Sequence, residues 1–274
     1  MNSFDENLLQ QLYVPASDSR KGDNGKVLII GGSDLFHSPA FWAFETASKI
    51  VDMVYFSSTD LNNEVLKNLK AEFINGIIVP RDRVEDYIEE ADSILIGPGL
   101  PRDEGLEAGE QSTKTLTENL LTKFAYKKWV IDGGSLQVIK PEVLPKNCII
   151  TPNKKEFKML FGEEENPENV ERFAEEFEIN ILVKGEIDFI CSPKSCVEIA
   201  GGNAGMTKGG TGDILAGLAA AFYTKNEAFL SAVCASFINK KAGESLGESV
   251  GIYFNASDLV AEIPKTMKKY IDKS

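Results

Sequence analysis

The sequence predicts an α/β protein: a doubly wound, mainly parallel sheet with helices packed on both faces. Three observations carry that expectation. Short apolar runs alternate with helical patterns from Lys26 to Lys184, the order that βαβ units impose. Runs such as Val27-Leu-Ile-Ile30 lack the polar alternation of a half-exposed strand, so they fit strands covered on both faces. Finally, several runs end on a break: Gly31-Gly32-Ser33, Gly97-Pro98-Gly99, Asp132-Gly133-Gly134, Thr151-Pro152-Asn153 and Lys184-Gly185. Glycine often ends a strand, so one such break means little. Five at one end of one sheet mark a cleft floor, because open α/β sheets bind ligands outside their carboxyl ends.

In chain order, Asp5 to Tyr13 reads as a short helix with Leu8, Leu9 and Leu12 on one side, and Ser17 to Gly25 as a loop. Lys26 to Ser33 is the first core strand. Pro39 suits the first position of a helix reaching about Val51, with Trp42 and Phe44 read as core. Further strands are expected at Met53–Ser57, Gly76–Pro80, Ser93–Gly97, Trp129–Asp132, Cys148–Thr151 and Ile181–Lys184. Helices fall between them at Asn63–Phe73, Arg83–Glu90, Thr113–Tyr126, Lys154–Phe161 and Glu168–Phe177. Asp188–Ser192 and Cys196–Ala200 flank Pro193-Lys194-Ser195 and read as a hairpin at the sheet edge. Helices at Asp213–Tyr223, Glu227–Leu246 and Ser257–Tyr270 close the chain. No linker or repeat interrupts it, so one domain over residues 1–274 is expected.

The composition sets limits on function. A formal net charge of −13 lacks the basic footprint of a nucleic-acid binder. The longest apolar run, Ile214 to Tyr223, is far short of a membrane span, and the first residues do not read as a signal peptide. A cytoplasmic enzyme is expected. Cys191 and Cys196 hint at a disulfide, but in that compartment free buried thiols are the commoner state. His37 is the single histidine, which argues against a thiol–imidazole metal site.

The most informative stretch is Gly205-Met-Thr-Lys-Gly-Gly-Thr-Gly-Asp213, which runs into Ile214-Leu-Ala-Gly-Leu-Ala-Ala-Ala-Phe222. A glycine loop opening onto a helix N-terminus offers unpaired N–H groups and a dipole to an anion. Asp213 by itself could be a helix cap. A cap alone does not need Gly209, Gly210 and Gly212 together. Amides that hold a phosphoryl group beside a carboxylate that accepts a hydroxyl proton suit phosphoryl chemistry. The stretch is neither a Walker A loop nor a dinucleotide-binding fingerprint.

Asn203-Ala-Gly-Met-Thr-Lys-Gly-Gly-Thr-Gly-Asp213 resembles the signature of ribokinase-like enzymes, and its lead-in resembles the ADP/ATP-dependent NAD(P)H-hydrate dehydratases among them. The resemblance runs from about Gly22 to Pro264. It includes Lys26–Ser33 with Phe36-His37-Ser38-Pro39, Gly97-Pro98-Gly99-Leu100, Thr151-Pro152 with Glu156-Phe157, and Lys184-Gly185. It implies a ribokinase-like fold, with Asp213 as catalytic base and Gly210, Thr211 and Gly212 as the anion hole. Lys184, Gly185, Asn203, Thr211 and Gly212 would bind the nucleotide, and Ser38, Pro39, Gly99, Asn153 and Asp213 would meet the substrate. The departures fall on the substrate side: Asn153 stands where the family has histidine, Gly134 where it has a second aspartate, and Ser38-Pro39 where it has Gly-Ala.

The implied reaction repairs NADHX and NADPHX, with ADP or ATP and Mg²⁺ as cofactors. Two other readings stay open here: a kinase of a small hydroxylated metabolite on the same fold, and a non-catalytic nucleotide sensor. The family's habits allow for a homo-oligomer, and any epimerase would be a separate chain.

Overall fold

The computed structural model describes residues 2–68, 75–101 and 112–271. Its strands are β1 (Asn2–Ser3), β2 (Lys26–Ile30), β3 (Met53–Ser57), β4 (Ile77–Ile78), β5 (Ser93–Ile96), β6 (Lys128–Ile131), β7 (Ile149–Ile150), β8 (Asn180–Val183), β9 (Ile187–Cys191) and β10 (Cys196–Ala200). They form one sheet in the order β1-β10-β9-β8-β7-β6-β5-β2-β3-β4. From β8 across to β4 every neighbouring pair is parallel. β9 and β10 are antiparallel to their neighbours in the hairpin. The hairpin is not the outer edge that the sequence suggested, because β1 pairs in parallel with β10 outside it. Two residues are too few to show a period.

The helices are α1 (Ser38–Ser48), α2 (Asp60–Asn68), α3 (Val84–Glu90), α4 (Thr113–Lys123), α5 (Gly133–Leu136), α6 (Lys154–Phe161), α7 (Pro167–Glu176), α8 (Thr211–Tyr223), α9 (Ala228–Val250) and α10 (Ala256–Tyr270). The N-terminal segment is a 3-10 helix over Glu6–Gln11, shorter than the expected helix. α2 starts at Asp60, earlier than expected, and the remainder of the stretch to Phe73 lies outside the described residues.

Strand pleating divides the core into two layers. Val27 and Ile29 of β2 join the cluster under α1, α8, α9 and α10. Leu28 and Ile30 face the other way, toward α3, α4, α6 and α7. All four side chains are fully buried, each contributing about 1.5–3 kcal/mol through apolar burial.

The chain runs β2, β3, β4 in one direction and then returns to β5 on the other side of β2. That reversal opens the crevice in which such sheets hold ligands. α8 lies over the middle of the sheet, and Ile214 to Tyr223 are all buried. A methyl at Gly217 would stand 2.6 Å from the Ala43 carbonyl oxygen, so α1 and α8 meet closely at that point. At the far end of α8, Lys128 Nζ donates to the carbonyls of Tyr223 at 2.9 Å and Thr224 at 3.3 Å, which closes the helix C-terminus.

Cys191 and Cys196 form a disulfide, against the expectation of free thiols. The register of the hairpin makes them direct cross-strand partners, which a spacing in sequence could only suggest. Among the described residues no helix is long and apolar enough to cross a membrane.

Candidate functional site

α8 begins two residues earlier than its sequence suggested. Gly210 is the N-cap and Thr211, Gly212 and Asp213 are the first three helical residues. Asp213 is therefore a first-turn side chain and not the cap. Gly210 has φ 103°, and a methyl there would stand 2.5 Å from both the Ala256 Cβ and the Trp42 ring. Backbone conformation and packing both require glycine. The N–H groups of Thr211, Gly212 and Asp213 have no carbonyl acceptor within the helix, that of Asp213 meeting its own carboxylate, and the helix dipole favours an anion in front of them. Space outside Gly209 is open, with nothing within 4 Å of a would-be methyl. The Thr211 hydroxyl points into the loop, donating to Met206 O at 2.6 Å, so what Thr211 offers an anion is its N–H.

Three charged side chains from other elements surround Asp213. Asp132, at the end of β6 and 2 % exposed, accepts from Lys184 Nζ at 2.6 Å and from Thr151 Oγ1 at 2.8 Å. Lys184 follows β8, and its Nζ lies 3.3 Å from a would-be methyl on Gly212, which puts the ammonium at the mouth of α8. Glu156 of α6 is buried, accepting from Asn153 N at 2.9 Å and Gln137 Nε2 at 3.0 Å. Burial, and next the Asp132 charge, push the Asp213 carboxyl up to about 7, with Lys184 opposing. Burial alone would lower Lys184, but Asp132 and Glu156 outweigh it and hold the ammonium above its usual range. Burial likewise raises Glu156. The arrangement sets a proton acceptor near neutrality and the leading amides of Thr211 and Gly212 on one turn of α8, with a fixed cation, Lys184, facing them from the end of β8.

The remaining expected nucleotide residues are tightly tied to the fold. Gly185 N donates to Asp188 Oδ1 at 2.9 Å, and Gly185 O accepts from Lys240 Nζ at 2.9 Å. Asp188 and Lys240 are themselves a buried ion pair at 3.2 Å, with Ser236 Oγ donating to Asp188 Oδ2 at 2.7 Å. This pair, absent from the sequence reading, shapes the loop after β8. Asn203 accepts from Gly205 N at 2.8 Å and donates to Gly243 O at 2.6 Å, so both ends of its amide are engaged in holding the glycine loop against α9.

On the substrate side, Ser38 and Pro39 open α1. The turn before them meets the turn after β5: Gly32 N donates to Pro98 O at 2.7 Å. A methyl at Gly99 (φ 70°) would stand 2.4 Å from Phe36 O. Asn62 supports this corner from α2, donating to Ser33 O at 2.9 Å. Asn153 is exposed and caps α6, accepting from Glu156 N at 3.0 Å within a capping box. Gly134 explains one departure from the family pattern. A methyl there would lie 2.1 Å from Leu100 O, so an aspartate would displace the turn after β5. The sequence placed Asp132 at a strand end on the cleft floor; its partners Lys184 and Thr151 are set by contacts across the sheet.

The profile of the NAD(P)H-hydrate dehydratases matches residues 27–265. The chain is 37 % identical to the bifunctional NAD(P)H-hydrate repair enzyme of Methanocaldococcus jannaschii over 95 % of its own length and 51 % of that protein. It is 34 % identical to the ADP-dependent (S)-NAD(P)H-hydrate dehydratase of Cenarchaeum symbiosum, with 94 % of each chain covered. The chain thus spans about half the length of bifunctional relatives and nearly all of a monofunctional one. Among solved structures, the ADP/ATP-dependent NAD(P)H-hydrate dehydratase of Bacillus subtilis superposes with a TM-score of 0.84 at 21 % identity, covering 98 % of both chains. A ribokinase-like superfamily protein of Enterococcus faecalis superposes at 0.85 and 23 % identity, over 98 % of this chain and 95 % of that one. The fold is ribokinase-like.

Proposed function

Since the chain belongs to the NAD(P)H-hydrate dehydratase family, we propose that it restores NADH and NADPH from their hydrates at the expense of ADP or ATP. The observation that carries this reading is Asp213 on the first turn of α8, beside free amides and the Lys184 ammonium. The hydrate's C6 oxygen attacks the terminal phosphorus while Asp213 takes its proton, and the bond to the nucleotide's bridging oxygen breaks. Amides of Thr211, Gly212 and Asp213 stabilise charge on the transferring group. Phosphate then leaves C6 as C5 gives up a proton, which re-forms the double bond. Ser38, Pro39, Gly99 and Asn153 border the hydrate in this reading. Lys184, Gly185 and Asn203 lie along the nucleotide, Gly185 and Asn203 acting through the loops they hold.

Magnesium fits as an ion carried in on the phosphates. Mg²⁺ needs only one or two carboxylates beside phosphate and water, and Asp132 is already bound to Lys184. Glu156 and Asp213 are the site carboxylates outside any ion pair among the described residues; with Asp213 as the base, Glu156 would hold the ion. Bound there, the ion would neutralise phosphate charge. A cytoplasmic setting, assembly of several copies and an epimerase acting on the hydrate's other epimer complete the reading. Incubation with NADHX plus ADP or ATP tests it, following 340 nm absorbance and phosphate together. Recovery of both supports the dehydratase. A stable phosphoester would instead mean a kinase, and nucleotide binding without turnover a sensor.

A further inference from the structure

Asp132 takes no part in the reaction just proposed, yet it is buried and is wired to the site through one lysine. Lys184 has three carboxylates around it, Asp132, Glu156 and Asp213. Among the described residues it makes an ion pair with Asp132 alone, at 2.6 Å. Thr151 Oγ1 holds the same oxygen of Asp132 at 2.8 Å, so the anchor is itself fixed by the strand end next door. The ammonium it holds lies beside Gly212, where a terminal phosphate would sit.

We propose that Asp132 is a positioning residue for the proton transfer: it pins Lys184 so that the ammonium serves the phosphate site at Gly212 and does not become the ion-pair partner of Asp213. An opposite charge in direct contact favours the ionised form of a carboxylate and weakens it as a base. Held by Asp132, Lys184 only partly offsets the burial and the Asp132 charge that raise Asp213 to about 7. The other charges near this mouth have partners of their own. Lys208 donates to Phe254 O at 2.6 Å, Lys240 pairs with Asp188, and Asp258 closes the capping box of α10. Glu156 is held by Asn153 and Gln137, and His37 is exposed at the head of α1.

The proposal rests on the dehydratase reading, so its test has an arm free of turnover. Asp132→Asn keeps the shape and the acceptor for Thr151 but removes the charge. In nucleotide-free protein, carbon-13 NMR should show the Asp213 carboxyl titrating at least one pH unit lower than in wild type. In the hydrate assay the acid limb of kcat/KM should move down with it, and plateau kcat should fall about 10- to 100-fold. Removing both charges in Asp132→Asn/Lys184→Met should return the Asp213 titration close to the wild-type midpoint. An unchanged or raised Asp213 midpoint in Asp132→Asn overturns the proposal. So does a drop of a unit or more in the double variant, which decides alone if the single variant does not fold. If Asp132→Asn shifts as expected but the wild-type protein never turns over the hydrate, only the dehydratase reading is defeated.

Discussion

In the proposed reaction Asp213 would serve as the base because of where it stands, on a helix turn that would otherwise favour its anion. The dipole and free amides pull its proton affinity down, while burial and Asp132 push it up to about 7. Replacing it by asparagine should lower turnover about 10²- to 10⁴-fold, with ADP affinity by calorimetry unchanged or higher. Wild-type kcat/KM should rise with pH through about 7, and the asparagine variant should lose that limb. Stability runs the other way. A carboxyl whose folded value exceeds its unfolded one binds the extra proton in the native state, so stability falls as pH rises from about 4 to about 7. The asparagine variant should therefore melt higher than wild type at pH 8, by the equivalent of about 1 kcal/mol or more. The glycine cluster made Asp213 legible in the sequence. The break at Asp132 was legible as part of the cleft floor, but its pairing with Lys184 was not, since the two residues meet only across the sheet.

The glycines of the α8 loop divide into two kinds. Gly210→Ala forces a left-handed residue against Trp42 and Ala256, and should cost about 1–3 kcal/mol, read as a lower denaturation midpoint. Gly212→Val has no such backbone penalty, but its side chain enters the space beside Lys184. It should fold normally and weaken ADP about 10-fold or more, a loss of about 1.4 kcal/mol. Asn153→Ala removes the α6 cap and should cost about 0.5–2 kcal/mol, whereas its effect on hydrate turnover should be small. The α8 start differs from the sequence expectation because Thr211 and Gly212 look like loop, and only the left-handed Gly210 marks the helix as beginning at Thr211.

Across the molecule, periodicity and strand breaks identified the parallel sheet from β2 to β8, because buried parallel strands are uninterrupted apolar runs. It could not identify β1, nor the disulfide, which depends on the register of β9 against β10. We propose that the chain unfolds as one unit, since both core layers share the same sheet. Calorimetry should give one transition, and ADP at 100 times its Kd should add about 2.7 kcal/mol to it. Two separable transitions would divide the domain.

The place of α8 in the chain has a consequence for biosynthesis. β2 to β7 leave the ribosome before α8 is made, yet Val27, Ile29, Val54, Leu95 and Val130 are covered from its side of the sheet. Until then an apolar face meets water, and intermediates of that kind aggregate or engage chaperones. Nascent chains halted before Tyr223 should be digested readily by protease. Resistance should appear abruptly once α8 and α9 have emerged, and with it the capacity to retain nucleotide.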